Sequence, residues 1–198
     1  MVNAMRLGRL FALLTTAIVS LASCSQKTAF FNTDLTGLDY AQHFQLTDHH
    51  GKVRTLSDFK GKVVLVFFGF TQCPYVCPTT MAEMASVMRE LGPQADRLQV
   101  LFVTLDPERD TQKLLATYVP AFDPRFLGLY GDAAATAKVA KDFKVFYQKV
   151  PGKSATSYTI DHTAGSYVYD PNGKIRLFVR HGQGIAPIVH DIKLLLNQ

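Results

Sequence analysis

The sequence predicts an α/β domain, with a central mixed β-sheet flanked by helices on both faces and an N-terminal β-hairpin. Three observations carry this. Residues 63–68, VVLVFF, and 98–105, LQVLFVTL, are continuous apolar runs too short for buried helices. They are rich in β-branched and aromatic residues, the composition of strands covered on both faces. Each is followed by a stretch with helical spacing, which places strands and helices in alternation. Short runs around Asp48-His49-His50-Gly51 and Asp170-Pro171-Asn172-Gly173 meet at turn signals, so hairpins are expected near both ends.

Taken in order, Phe44-Gln45-Leu46 and Val53-Arg54-Thr55 form the first hairpin. His49 and His50 fall at its tip and read as solvated turn residues rather than a surface metal site. The strand 63–68 ends at Gly69. Met81, Met84, Ala85, Met88 and Leu91 then recur at helical spacing until Gly92-Pro93 stops the helix. Thr80 with Glu83 offers a capping box at its start, and Pro78 allows an earlier first turn. The strand 98–105 leads through Asp106-Pro107-Glu108-Arg109-Asp110-Thr111 into a helix over 112–119. A short strand at 126–130 and a helix over 133–143 follow, the latter with a face of Ala134, Ala137, Val139 and Ala140. Residues 145–150 are apolar and aromatic, irregular or extended. Tyr158-Thr159-Ile160-Asp161-His162-Thr163 precedes a strand at 166–169, the turn at 170–173, a returning strand at 174–180 and a last helix over 186–196.

At 198 residues and 47% hydrophobic, the chain suits one domain plus a leader. The formal charge is +5; without Arg6 and Arg9 of the leader, 19 basic residues face 16 acidic ones, or +3. That is too little and too scattered for nucleic acid, which is not an expected partner. Arg6 and Arg9 precede an apolar run over 10–22, the length of a signal-peptide core and short for a membrane span. It ends Leu21-Ala22-Ser23-Cys24, which resembles the lipobox of bacterial lipoproteins, with Cys24 as the lipidated residue. The expected organisation is a lipoprotein-type signal peptide over 1–23, a tether over 24–40 and the folded domain over 41–198. The domain is then exported and held on a membrane by its anchor, facing the periplasm or cell exterior.

Chemistry concentrates in the loop between the first central strand and its helix, Cys73-Pro74-Tyr75-Val76-Cys77-Pro78. Four residues apart at a helix entrance, Cys73 and Cys77 can turn their sulfurs to one side, with Cα atoms roughly 6 Å apart, within disulfide range. The same spacing lets two thiolates grip one soft metal ion. The helix N-terminus favours negative charge and is expected to lower the thiol pKa values. The bland alternative is two buried structural thiols. Met81, Met84 and Met88 read as core, and His43, His181 and His190 have no chemical company.

The strand, loop and helix in that order resemble a thioredoxin-like domain and, more narrowly, the Sco/SenC family of copper-binding assembly factors. The likeness rests on Phe67-Phe68-Gly69-Phe70-Thr71 with Cys73-Pro74 and Cys77-Pro78-Thr79-Thr80, on Thr104-Leu105-Asp106-Pro107-Glu108-Arg109-Asp110-Thr111, and on Asp161-His162-Thr163. It implies a copper ion, Cu(I) or Cu(II), held by Cys73, Cys77 and His162, and a role in assembling the dinuclear copper centre of cytochrome c oxidase. Expected partners are the copper-bearing subunit of that oxidase and other copper chaperones or a thioredoxin-like reductant. Asp106 and Asp161 are candidates for outer partners of the metal ligands, each against a turn role. One departure is Tyr75, where the family commonly has Asp between the cysteines. The alternative function is a thiol–disulfide oxidoreductase that uses Cys73 and Cys77 as a redox pair to reduce an acceptor's cysteines, with Cys73 attacking and Cys77 resolving. A peroxiredoxin echo at Val76-Cys77-Pro78-Thr79 fails, because Pro74 and Phe70 stand where that chemistry needs Thr or Ser and Pro. Three ligands also leave a structural zinc site incomplete.

Overall fold

The computed structural model describes residues 29–154 and 157–198; the expected signal peptide and Cys24 lie outside them. In chain order the elements are β1 (Thr33–Asp34), β2 (Gln45–Asp48), β3 (Val53–Thr55), β4 (Val63–Gly69), α1 (Val76–Leu91), β5 (Leu98–Thr104), α2 (Gln112–Tyr118), β6 (Leu127–Tyr130), α3 (Ala133–Asp142), β7 (Tyr147–Pro151), β8 (Tyr158–His162), β9 (Gly165–Tyr169), β10 (Ile175–Arg180) and α4 (Ile185–Leu196). Eight strands form one mixed sheet in the order β1-β10-β9-β4-β5-β6-β2-β3. The neighbours β4, β5 and β6 are parallel, and the remaining pairs are antiparallel. Strands β7 and β8 form a separate two-stranded ribbon.

Every residue of β4 and β5 is buried, which is why their sequences lack alternation. The two faces still differ. Val63, Leu65 and Phe67 pack against Met81, Met84 and Met88 of α1 and Ile188, Ile192 and Leu195 of α4. Val64, Val66 and Phe68 pack on the other side against Val139 and Ala140 of α3 and against Phe143. A one-residue slip of β4 would exchange these sets, so two different helical layers fix its register. The methionines are core, as their spacing indicates.

Three local expectations are corrected. Helix α1 begins at Val76, so Thr80 and Glu83 sit inside it and form no capping box. The Glu83 carboxylate instead accepts from the Gly184 N–H at 3.0 Å, and Thr80 Oγ1 lies 3.0 Å from His181 Nδ1. His49 is not a solvated tip residue. It is 4% exposed and its Nδ1 accepts from the Gly128 N–H at 2.9 Å, because pairing of β2 with β6 lays the turn against the neighbouring strand. Within the expected tether, Thr33 and Asp34 pair with β10, and the buried Asp191 carboxylate accepts from the N–H groups of Phe31 and Asn32 at 3.0 and 2.8 Å. Among the described residues no helix is long and apolar enough to cross a membrane.

Candidate metal centre

Three segments meet at the C-terminal ends of β4 and β5, where open α/β sheets commonly bind ligands. The first is the loop from β4 to α1. Cys77 lies in the first turn of α1 and is fully buried, whereas Cys73 is only partly so. The Cys73 N–H donates to the Phe70 carbonyl at 3.2 Å, and the Cys73 Sγ accepts from the Cys77 N–H at 3.4 Å. A free backbone donor of the helix start is thus satisfied by the sulfur one turn earlier. Burial pushes the Cys77 thiol well above its ordinary value, outweighing a backbone hydrogen bond from Phe70. The direction is opposite to the lowering expected from the helix N-terminus, and its cause is loss of water around the sulfur.

Gly69 supplies the room. A Cβ built there would fall 2.8 Å from the Cys77 Sγ and about as close to the rings of Phe67 and Phe102, at 3.0 and 3.1 Å.

The second segment is the end of β8. His162 Nε2 lies 3.9 Å from the Cys77 Sγ, and its Nδ1 lies 3.0 Å from the Thr163 carbonyl. A carbonyl only accepts, so Nδ1 carries the proton and Nε2 presents its lone pair toward the sulfur. Burial lowers the His162 pKa, with the Thr163 carbonyl and Asp161 opposing, so the neutral ring is favoured. Phe67 and Phe70 meet the imidazole edge to face, with centroids 6.4 and 6.1 Å away. Among the described residues no group of three His, Cys, Asp or Glu side chains already stands in metal-holding geometry. The Cys73 sulfur accepts the Cys77 N–H, a hydrogen bond that a metal-bound thiolate can keep. The donor set itself, two thiols and a neutral imidazole with a fixed tautomer, suits a soft ion such as Cu(I).

The third segment follows β5. The Asp106 side chain is fully buried; its carboxylate accepts from the Tyr158 hydroxyl at 2.7 Å and from Arg109 Nε at 2.5 Å. It therefore reaches β8, the strand that carries His162. Asp161 is exposed and in register with Gln148, and the outer partner of the imidazole is the Thr163 carbonyl instead. Asp110 is a residue that sequence reasoning left without a role. Its buried carboxylate accepts from the Thr71 N–H at 3.0 Å and from the hydroxyls of Thr71 and Thr104, both at 2.6 Å, tying the cysteine loop to the end of β5. Burial raises its pKa despite those donors. The available signal was the two motifs themselves, Phe70-Thr71 and the run 104–111, which meet here. Tyr75 is 79% exposed between the cysteines. A groove of about 950 Å³ between the first hairpin and α3 includes none of the three candidate ligands.

Known proteins resemble this chain in sequence and in fold. The family described as SCO1/SenC matches residues 32–197. The mitochondrial SCO2 homologue of Bos taurus is 42% identical over 152 residues, covering 76% of this chain and 57% of that protein. The chain spans between about half and three-fifths of the length of the first curated relatives it matches. Among solved structures, Bradyrhizobium japonicum ScoI with copper bound is 41% identical with a TM-score of 0.71, covering 77% of this chain and 97% of that one. The apo Sco1 protein of Thermus thermophilus is 38% identical with a TM-score of 0.75, covering 84% and 97%. The architecture is the thioredoxin-like one that the resemblance implies.

Proposed function

The chain belongs to the SCO1/SenC family, and on that premise we propose that it is a copper-binding assembly factor for the dinuclear copper centre of cytochrome c oxidase. Copper is its cargo, held by Cys73, Cys77 and His162. The observation that carries this reading is the His162 Nε2 lone pair 3.9 Å from the Cys77 sulfur, with the opposite ring nitrogen fixed on Thr163. A relative of known structure that is 41% identical was solved with copper bound, which supports the choice of metal. Two soft sulfurs suit Cu(I), and the imidazole accommodates both oxidation states. Three protein ligands leave a coordination position through which an acceptor's ligand can enter, and the partly exposed Cys73 is the sulfur an acceptor meets first. The acceptor is the copper-bearing oxidase subunit. The domain works outside the cytoplasm, on a membrane to which Cys24 anchors it, with another copper chaperone or a thioredoxin-like reductant supplying it.

A second reading has its own support in the unequal exposure of the two thiols. The Cys73 thiolate attacks an acceptor disulfide, forming a mixed disulfide and releasing one acceptor thiolate. Cys77 then attacks Cys73, which frees the second acceptor thiolate and leaves a Cys73–Cys77 disulfide. No metal takes part, and the two electrons come from the pair itself.

Titration of the reduced chain with Cu(I) and Cu(II) separates the readings. The carrier reading expects one copper per chain and a sulfur-to-Cu(II) charge-transfer band that is lost in Cys73→Ser and Cys77→Ser and altered in His162→Ala. Copper retention unchanged in His162→Ala would remove the three-ligand site, and undiminished disulfide exchange in the same variant would favour the second reading.

A further inference from the structure

We infer that Arg109 is a positioning residue for the metal centre, acting through His162: it pins the ribbon that carries the histidine to the loop that carries Cys73. The inference rests on the three-ligand reading above.

The need for such a pin follows from the topology. The two thiols belong to the loop after β4, at the middle of the main sheet. His162 belongs to the β7–β8 ribbon, which shares no strand pairing with that sheet. The short link from His162 to Gly165 ties that end of β8 to β9, which pairs with β4, so the rest of the ribbon is seated on the cysteine-bearing loop by side chains that bridge the two.

Arg109 is such a bridge. Its Nε donates to Asp106 at 2.5 Å, which anchors it on the loop after β5. Its Nη1 donates to the Tyr158 carbonyl at 2.9 Å and to Gln72 Oε1 at 3.0 Å. Tyr158 opens the strand that ends in His162, and Gln72 adjoins Cys73. The guanidinium lies over the Tyr158 ring, 3.6 Å from its centroid, and 6.0 Å from the centroid of Phe70, whose ring also meets His162. The Tyr158 hydroxyl returns to the same Asp106 carboxylate, closing the network. A planar fork can serve a carboxylate, a carbonyl, an amide and an aromatic face together; a lysine ammonium can hold one or two of these. The exposed Lys149–Glu108 pair also spans ribbon and loop, but solvent screens it and its contribution is small.

A purely structural reading makes Arg109 a counter-ion three residues from Asp106 that only stabilises the turn. A double-mutant cycle with His162 separates the two. Cu(I) affinity is measured by competition with a chromogenic chelator for the wild-type chain, Arg109→Ala, His162→Ala and the double variant, with the nitrogen hyperfine coupling of the Cu(II) forms. The expected result is an affinity loss of about 10- to 100-fold in Arg109→Ala, a weakened nitrogen coupling, and no further loss when Arg109→Ala is added to His162→Ala. Arg109→Lys keeps a charge opposite Asp106 and is expected to fold and show the same loss, so the cycle can be run on it if Arg109→Ala does not fold. Wild-type affinity in both Arg109 variants, or losses that multiply in the double variant, would overturn the inference while leaving the three-ligand site intact. Wild-type affinity in His162→Ala would overturn both together.

Discussion

Gly69 and Cys77 share one small volume: a methyl group on the glycine would stand 2.8 Å from the cysteine sulfur. The end of β4 is thus shaped by the thiol that follows it. Gly69→Ala is expected to displace the Cys77 sulfur, with an overpacking cost of about 1–3 kcal/mol and weaker Cu(I) binding. Thermal melting and chelator competition check this; an unchanged melting temperature and affinity would mean that the loop yields without strain.

The two thiols are expected to react unequally. Cys77 is fully buried and burial holds its thiol protonated, whereas Cys73 is partly open to solvent. With iodoacetamide and the copper-free reduced chain, the first adduct should form on Cys73, with Cys77 modified on the order of tenfold more slowly or only on unfolding. Peptide mapping by mass spectrometry against time reads this directly, and a first adduct on Cys77 would contradict the burial order.

Two tyrosines with hydroxyls buried from solvent should respond in opposite senses to loss of those hydroxyls. Among the described residues the Tyr118 hydroxyl is buried without a hydrogen-bond partner, while the Tyr169 hydroxyl donates to the Ala41 carbonyl at 2.5 Å. Tyr118→Phe is expected to be neutral or to stabilise the fold by up to about 1 kcal/mol, and Tyr169→Phe to cost about 1–3 kcal/mol by stranding a carbonyl. Urea midpoints of the two variants test the contrast.

Stability should fall on mild acidification, in part through His49. Burial, then the neighbouring His50, lowers its pKa below the ordinary 6.5. Below pH 6.5 the unfolded chain takes up a proton that the folded chain resists, so the contribution present above that pH is lost as the pH falls toward the depressed folded value. Protonation at Nδ1 also sets two donors face to face, since that atom accepts from Gly128. The urea midpoint is expected to drop between pH 7 and 5.5, and to drop less in His49→Asn, which keeps an acceptor oxygen but does not titrate. An equal drop in both proteins would assign the effect elsewhere.

The central strands, the helices after them and the last hairpin were legible because each is announced by its own residues: VVLVFF has no other comfortable place than mid-sheet, and Asp170-Pro171-Asn172-Gly173 no other shape than a turn. Strand β1 was not, since two residues carry no period and its seat depends on Asp191, some 160 residues away. His49 was misread for a related reason: a turn signal is local, while its burial comes from β6. The cysteine pair was visible from spacing. The meeting of Cys77 with His162 across 85 residues was not, and only the family resemblance indicated it. The direction of the Cys77 shift needed the packed fold, because the helix terminus is written in the sequence and the loss of water is not.

The ribbon's separateness from the main sheet bears on how cargo leaves. Because the proposed nitrogen donor stands at the end of the ribbon and both proposed sulfur donors on the loop after β4, a docking protein that leans on β7–β8 would bear on the imidazole before the thiols.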